Sequence, residues 1–280
     1  MSHAPLVDTQ QRRATLDHML AAVEAIQFQD DPFPHIVVKD FFPKDVYSRL
    51  LDCLPSSEVY EPFGYEKHAN ENGQSNRKRF RLANECIETL PRAQQEFWFA
   101  IRSALGSVEL KETIFHKLRT GLSYRFKCDP EEARSLPGYA LPELFHETAG
   151  YSIKPHPDTR KKVVTMQIAL PEIQSQEEAG KDGASQLGTE FYRRSVHPAS
   201  WLRDPKGFEV VKTMQFLPNS AYAFVVLNTM RIKSWHGRSS LSSSCGVRNS
   251  LLNIWYRRAE QANMEIVEEN ISLSTLRKAA

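Results

Sequence analysis

His156 and Asp158 stand two residues apart in "AGYSIKPHPDTRKKVVTMQIALP", residues 149–171, at the head of an apolar, β-rich run. Alternate residues of a strand point to the same side, so an imidazole and a carboxylate placed this way make a two-point chelate. A third ligand has to come from elsewhere in the chain. His236, in "RIKSWHGRSS", follows the apolar segment "SAYAFVVL" and is the natural candidate. Two imidazoles and one carboxylate on one face of an ion leave its other positions open, and donors of this intermediate hardness suit Fe(II). Beyond His236, Arg248 opens the apolar segment "GVRNSLLNIWY", and Ser250 shares its strand face. A planar guanidinium fork beside a hydroxyl is a clamp for a carboxylate. Each feature has an ordinary rival: a surface or hydrogen-bonded histidine, and a solvated arginine at a strand start.

The elements that must hold these groups differ between the two halves of the chain. "QQRRATLDHMLAAVEAIQF", Gln10 to Phe28, carries Leu16, Met19, Leu20, Val23 and Ile26 at helical spacing. A short strand is expected at Ile36–Val38, then helices over Asp40–Leu54, Pro91–Leu105 and Ser107–Leu118, the first begun near Pro43. From Leu141 onward, β-like runs alternate with Gly-, Pro- and Ser-rich connectors. Strands are expected at Ser152–Pro155, Val163–Leu170, Val210–Phe216, Ser220–Val226 and Ser250–Tyr256, with "QSQEEAGKDGASQLG" and "GRSSLSSSCGV" between them. Closely spaced strands of this kind make a sandwich or barrel. No repeat and no interdomain linker stands out, so one domain over 1–280 is expected. It comprises a mainly helical support and lid region at 1–140, a β core at 141–258 and a tail at 259–280 that ends in a helix.

Glu58 to Arg81 is polar and rich in Asn and Gly, and ends in the basic cluster Arg77, Lys78, Arg79 and Arg81. It reads as a loop able to cover the mouth of a barrel, where Arg77, Arg79 or Arg81 would meet a substrate carboxylate; a solvated surface is the rival. The composition is that of a globular protein with a sizeable core, 41% hydrophobic and 25% charged. A net charge of +2 gives no argument for nucleic acid or membrane. The polar start "MSHAPLVDTQQRR" has no signal-peptide core, so the cytoplasm is the expected compartment. Cys53, Cys86, Cys128 and Cys245 form no CxxC pair and are expected as free thiols.

In order, "HPD" at 156–158, "VVTMQIALP" at 163–171, "GTEF" at 188–191, "LPNSAYAFVV" at 217–226, "WHG" at 235–237 and "GVRNSL" at 246–251 resemble the Fe(II)/2-oxoglutarate-dependent dioxygenase superfamily, in the layout of its prolyl-hydroxylase-like branch. The resembling residues span roughly 141–256. The resemblance implies a mainly β, α+β protein with a double-stranded β-helix (jelly-roll) core and a helical N-terminal part. It implies iron on His156, Asp158 and His236, with the distal carboxylate of 2-oxoglutarate on Arg248 and Ser250. It implies dioxygen as co-reactant, release of succinate and CO2, and hydroxylation of an unactivated C–H in a small molecule such as an amino acid or natural-product intermediate.

The branch often has a tyrosine about ten residues before the first iron ligand. Here His146 occupies that neighbourhood and is taken as a cosubstrate contact, with a structural role as the rival. The "SSLSSSC" insertion also sets the G-x-R segment further from His236 than is common. Halogenating relatives lack the carboxylate ligand, so Asp158 points to hydroxylation or an allied oxidation. Thr165 and Gln167 share a strand face, and Gln167 is expected either to touch cosubstrate or substrate or to be a satisfied core amide. His197 reads as a loop residue and His35 as structural. The G-x-S-x-G of a serine hydrolase and Gly-rich phosphate motifs are missing. Two alternatives stay open: a protein- or nucleic-acid-modifying oxygenase of the same superfamily, and a non-catalytic jelly-roll binding module.

Overall fold

The computed structural model describes residues 9–63, 75–171 and 186–262. Helices α1 (Thr9–Glu24) and α2 (Lys44–Asp52) flank strand β1 (His35–Val38). The short pair β2 (Glu61–Pro62) and β3 (Arg77–Arg81) precedes α3 (Asn84–Ile87), α4 (Arg92–Leu105), α5 (Val108–Lys117) and α6 (Arg119–Phe126). Strands β4 (Tyr139–Glu147), β5 (Ile153–His156), β6 (Lys162–Leu170), β7 (Thr189–Arg194), β8 (Phe208–Met214), β9 (Ala221–Val225), β10 (His236–Arg238) and β11 (Arg248–Tyr256) follow.

The strands form two antiparallel sheets. The larger runs β1-β9-β6-β11-β4-β3-β2 and the smaller β5-β10-β7-β8. Taken from β4 to β11, the chain supplies β4, β6, β9 and β11 to one sheet and β5, β7, β8 and β10 to the other. That distribution is the eight-stranded jelly roll. The expected β core with flanking helices is therefore present, and β1, β3 and β2 from the N-terminal half extend its larger sheet at both edges.

Helices cover the outer face of that sheet. Trp255 of β11 meets Phe115 of α5 edge to face at 6.1 Å, both fully buried. The Asn253 amide donates to the Leu105 carbonyl oxygen at the end of α4. Burying a large apolar side chain contributes about 2–3 kcal/mol. β6 is buried along almost its whole length, because helices lie on one side and the smaller sheet on the other. Its inward set, Thr165 and Gln167, faces the space between the sheets, and that is where the chemistry-bearing residues collect.

Several expected boundaries shift. The expected Ser152–Pro155 strand runs Ile153–His156, and the last strand begins at Arg248 rather than Ser250. The basic end of the Glu58–Arg81 stretch is a correction: residues 77–81 form β3 rather than a loop, paired with β4 in register Arg77↔Glu147 to Arg81↔Glu143. Its alternation puts buried Phe80 on the helix side, while acids across the pair draw the arginines inward. Residues 64–74 of that stretch, most of the 174–188 connector and the tail beyond 262 lie outside the described residues. Strands β4, β7 and β10 and helix α6 had no clear sequence signal. β10 is only "HGR", with no apolar residue to mark it. Cys53, Cys86 and Cys128 are free thiols. Among the described residues, no helix is long and apolar enough to cross a membrane.

Candidate metal centre and anion clamp

His156 is the last residue of β5, and His236 is the first of β10; the two are direct partners across the antiparallel pair. Their ring centroids lie 4.4 Å apart. One ligand atom from each of His156, Asp158 and His236 lies within 4.8 Å of the others. One part of the sequence expectation needs correction here. Asp158 lies beyond the end of β5, so strand pleating does not place it. Hydrogen bonds do: Lys162 Nζ donates to Oδ1 at 2.6 Å, Thr165 Oγ1 donates to Oδ2 at 2.7 Å, and the Asn228 amide donates to the Asp158 carbonyl oxygen at 3.2 Å.

Both imidazoles are oriented through the backbone. His156 Nδ1 is 2.9 Å from the Lys154 carbonyl oxygen, and His236 Nδ1 is 2.9 Å from that of Ser234. A carbonyl oxygen only accepts, so each Nδ1 carries the proton and each Nε2 keeps its lone pair for the centre. Burial pushes the His236 imidazolium down to about 4 against the pull of Asp158, and burial likewise lowers His156. Burial alone would raise the Asp158 carboxyl. The Lys162 and His236 charges, with hydrogen bonds from Lys162 and Thr165, outweigh it and hold the acid well below the usual carboxylate range. Two neutral imidazoles and one ionised carboxylate at neutral pH fit a borderline divalent ion such as Fe(II).

His156, Asp158 and His236 line a cavity of about 340 Å³, large enough for small molecules. Arg248, Gln167, Arg77 and Arg79 line it too. Arg248 is only 2% exposed, and its guanidinium is held on every side. Nε donates to the Leu187 carbonyl oxygen at 2.7 Å, NH1 to Glu147, and NH2 to Gln167 Oε1 at 2.9 Å and Thr189 Oγ1 at 3.3 Å. Gln167 is a hub, its Nε2 donating to Ser250 Oγ at 3.1 Å and its Oε1 accepting from Thr189 at 3.0 Å and Tyr222 at 2.6 Å. So Gln167 is a satisfied buried amide that also forms cavity wall. Ser250, fully buried, is tied to it.

His146 is a correction. It lies on β4 between Phe145 and Glu147, and pleating sends it to the opposite face from those cavity-lining neighbours. Its Nδ1 is 3.0 Å from Asn249 Oδ1 and its ring contacts Tyr60 at 5.9 Å, so it has no access to a cosubstrate in the cavity. Arg81 is likewise removed from the cavity: its guanidinium is 3.8 Å from Glu61 at the outer edge of the sheet. Arg77 and Arg79 point inward but pair with acids, Arg77 Nε to Glu147 at 3.1 Å and Arg79 NH1 to Glu143 at 3.2 Å. Both guanidiniums are ion-paired with acids of the same sheet, which weakens a phosphate-binding role for "RKRFR", while the Arg79 side chain stays 22% exposed on the cavity wall. His35 is fully buried, with Nδ1 2.8 Å from the Phe33 carbonyl oxygen and Nε2 2.9 Å from Lys212 Nζ, and His197 caps a short turn in a loop.

The residues not anticipated from sequence are Glu143, Glu147, Lys162, Thr189, Tyr222 and Arg238, all cavity-lining. Two acids four residues apart, and so on one face of a strand, in the mostly apolar "YALPELFHE" were the available signal for β4.

No family model matches the chain, and no curated protein matches it. Solved structures do resemble it. A Pseudomonas putida prolyl-4-hydroxylase is 13% identical with a TM-score of 0.47, over 86% of this chain and 99% of that one. A Phytophthora capsici prolyl 4-hydroxylase is 12% identical with a TM-score of 0.48, over 94% and 70%. The non-haem α-ketoglutarate-dependent epimerase SnoN from nogalamycin biosynthesis is 11% identical with a TM-score of 0.47, over 87% and 84%. Two of these neighbours are prolyl hydroxylases and the third is an α-ketoglutarate-dependent epimerase; the strand order and the donor set of this chain, not the likeness, carry the functional reading.

Proposed function

We propose that the protein is a non-haem Fe(II)- and 2-oxoglutarate-dependent dioxygenase that oxidises an unactivated C–H of a small molecule. The observation that supports this best is the convergence of two Nε2 lone pairs and one ionised carboxylate in the same cavity as a buried arginine fork. His156, Asp158 and His236 would hold the iron. Arg248, with Ser250, Thr189 and Tyr222 around it, would hold the distal carboxylate of the keto acid. When bound, the iron and keto acid supply oxidation by dioxygen coupled to decarboxylation of 2-oxoglutarate to succinate.

The chain's own contribution is positioning and shielding. Lys162 and Thr165 keep Asp158 ionised and fixed, and the two backbone carbonyls keep both imidazoles in the ligating tautomer. Phe145, Leu252, Ile254 and Tyr256 give the cavity apolar walls that limit water around the reacting C–H. A substrate of amino-acid size with its own carboxylate suits the arginine-bearing β3 side, where Arg79 is partly exposed.

Anaerobic titration of Fe(II) and then 2-oxoglutarate, read by the metal-to-keto-acid absorption band, tests the assignment. Succinate production that requires Fe(II) should accompany it. A protein that binds neither component would instead be a jelly-roll binding module, and one that binds both but forms no succinate with any small molecule offered would point to a macromolecular substrate.

A further inference from the structure

The fork of Arg248 is already closed by a carboxylate of the protein itself. Glu147 is the register partner of Arg248 across β4 and β11, is 1% exposed, and accepts from Arg248 NH1 through Oε2. Its second oxygen, Oε1, is 3.1 Å from Arg77 Nε on the next strand. One carboxylate therefore bridges two guanidiniums. Arg77 is in turn fixed against aromatic faces, 4.3 Å from the Phe145 ring, 4.9 Å from Phe63 and 5.1 Å from Tyr151.

A second carboxylate brought to Arg248 would meet Glu147 at close range in a desolvated site, where like charges repel strongly. The donors left around Arg248, from Thr189, Tyr222 and Ser250, are hydroxyls that can turn toward an incoming anion, but the charge conflict stays unless Glu147 is neutralised elsewhere. Arg77 is the group in place to do so. Resting on the dioxygenase reading, we propose that Glu147 is an internal competitor for the cosubstrate anchor and that Arg77 is the positioning residue that draws it off. Glu147 then leaves Arg248 NH1 for the keto acid and keeps its contact with Arg77. Arg77 thus sets the affinity of the keto-acid site through Glu147, and substrate recognition on β3 falls to Arg79.

The test is calorimetric titration of 2-oxoglutarate into anaerobic Fe(II)-loaded protein, with thermal unfolding of each ligand-free variant as the folding control. Glu147→Gln should bind 2-oxoglutarate about tenfold or more tightly, because the competing charge is gone. Arg77→Gln should bind it about tenfold more weakly, and Arg77→Lys should recover most of that loss. In the double variant the Arg77→Gln loss should vanish, leaving affinity near that of Glu147→Gln. Unchanged or weaker binding in Glu147→Gln, or a loss from Arg77→Gln that survives in the double variant, overturns the inference while leaving the dioxygenase reading intact. Absence of binding in wild type and every variant removes both. If Glu147→Gln does not fold, the Arg77 pair decides: equal affinity in wild type and Arg77→Gln refutes the coupling, and loss with Gln but not Lys supports it.

Discussion

His156 and His236 are directly opposed across the β5–β10 ladder, and their backbone-anchored Nδ1 atoms turn both Nε2 atoms toward the Asp158 carboxylate. Removing either imidazole leaves a two-point site. His236→Ala should therefore weaken Fe(II) binding on the order of a hundredfold or more, at least the scale on which even outer contacts of metal ligands matter. Equilibrium competition with a chromophoric chelator measures it. Because the His236 side chain, 12% exposed, has no strand-pairing role, circular dichroism should stay native.

Lys162 bonds Asp158 Oδ1 at 2.6 Å and balances a carboxylate buried to 6% exposure. A bound divalent ion would share that balancing. Lys162→Met should then destabilise the metal-free protein by about 2 kcal/mol, below the range for breaking a fully buried pair because Lys162 is partly exposed. The loss should be smaller with metal present. Thermal unfolding with and without Mn(II) under matched conditions distinguishes this from a simple packing defect, which would cost the same in both.

The cluster of His156, Asp158 and His236 was legible in the sequence through the order of its pieces along the chain, since a lone H-x-D is weak, and Arg248 lines the same cavity. What failed was parity at an unrecognised strand. With β4 not identified, His146 drew attention as an imidazole near the expected place, whereas the pleat turns Glu147 inward and His146 out. The same blindness made "RKRFR" a loop. Its charges suggest solvent only until the acids on β4 that neutralise them, Glu143 and Glu147, are known to be adjacent in space. Pairings between strands far apart in the chain are not contained in local composition, and here they decide which charges are spent.

Protonation of His35 should report on the join between the two sheets. The residue lies fully buried on β1, donates from Nδ1 to the Phe33 carbonyl oxygen, and accepts from Lys212 at Nε2. Burial lowers its pKa from the ordinary 6.5, opposed by the Phe33 contact, with Lys212 lowering it further and Asp31 and Asp30 raising it. The unfolded chain then takes up the proton first as pH falls. The stability associated with neutral His35 is complete above about 6.5 and is lost progressively below it, down through the depressed folded value. Urea unfolding at pH 7.5 and 5.0 should show a smaller stability difference for His35→Gln than for wild type. An equal difference would mean that folding leaves the pKa of His35 unshifted.

Gly237, between His236 and Arg238 on β10, couples backbone spacing to the metal site. A Cβ there would lie 2.5 Å from the Ile153 carbonyl oxygen and 3.1 Å from the Lys154 carbonyl carbon and oxygen on β5. Those obstacles are backbone, so a methyl group can be accommodated only by moving β5 away from β10, and β5 carries His156. Gly237→Ala should cost about 1–3 kcal/mol of stability, the usual range for forced overpacking. It should also weaken Fe(II) binding about tenfold by parting the two imidazoles, although no ligand is altered; a shift of one ångström in a site of fixed geometry has effects of that order or larger. Chelator competition and thermal unfolding on the same sample measure both quantities. Stability lost with iron affinity unchanged would show that the β5–β10 spacing does not set the distance between His156 and His236.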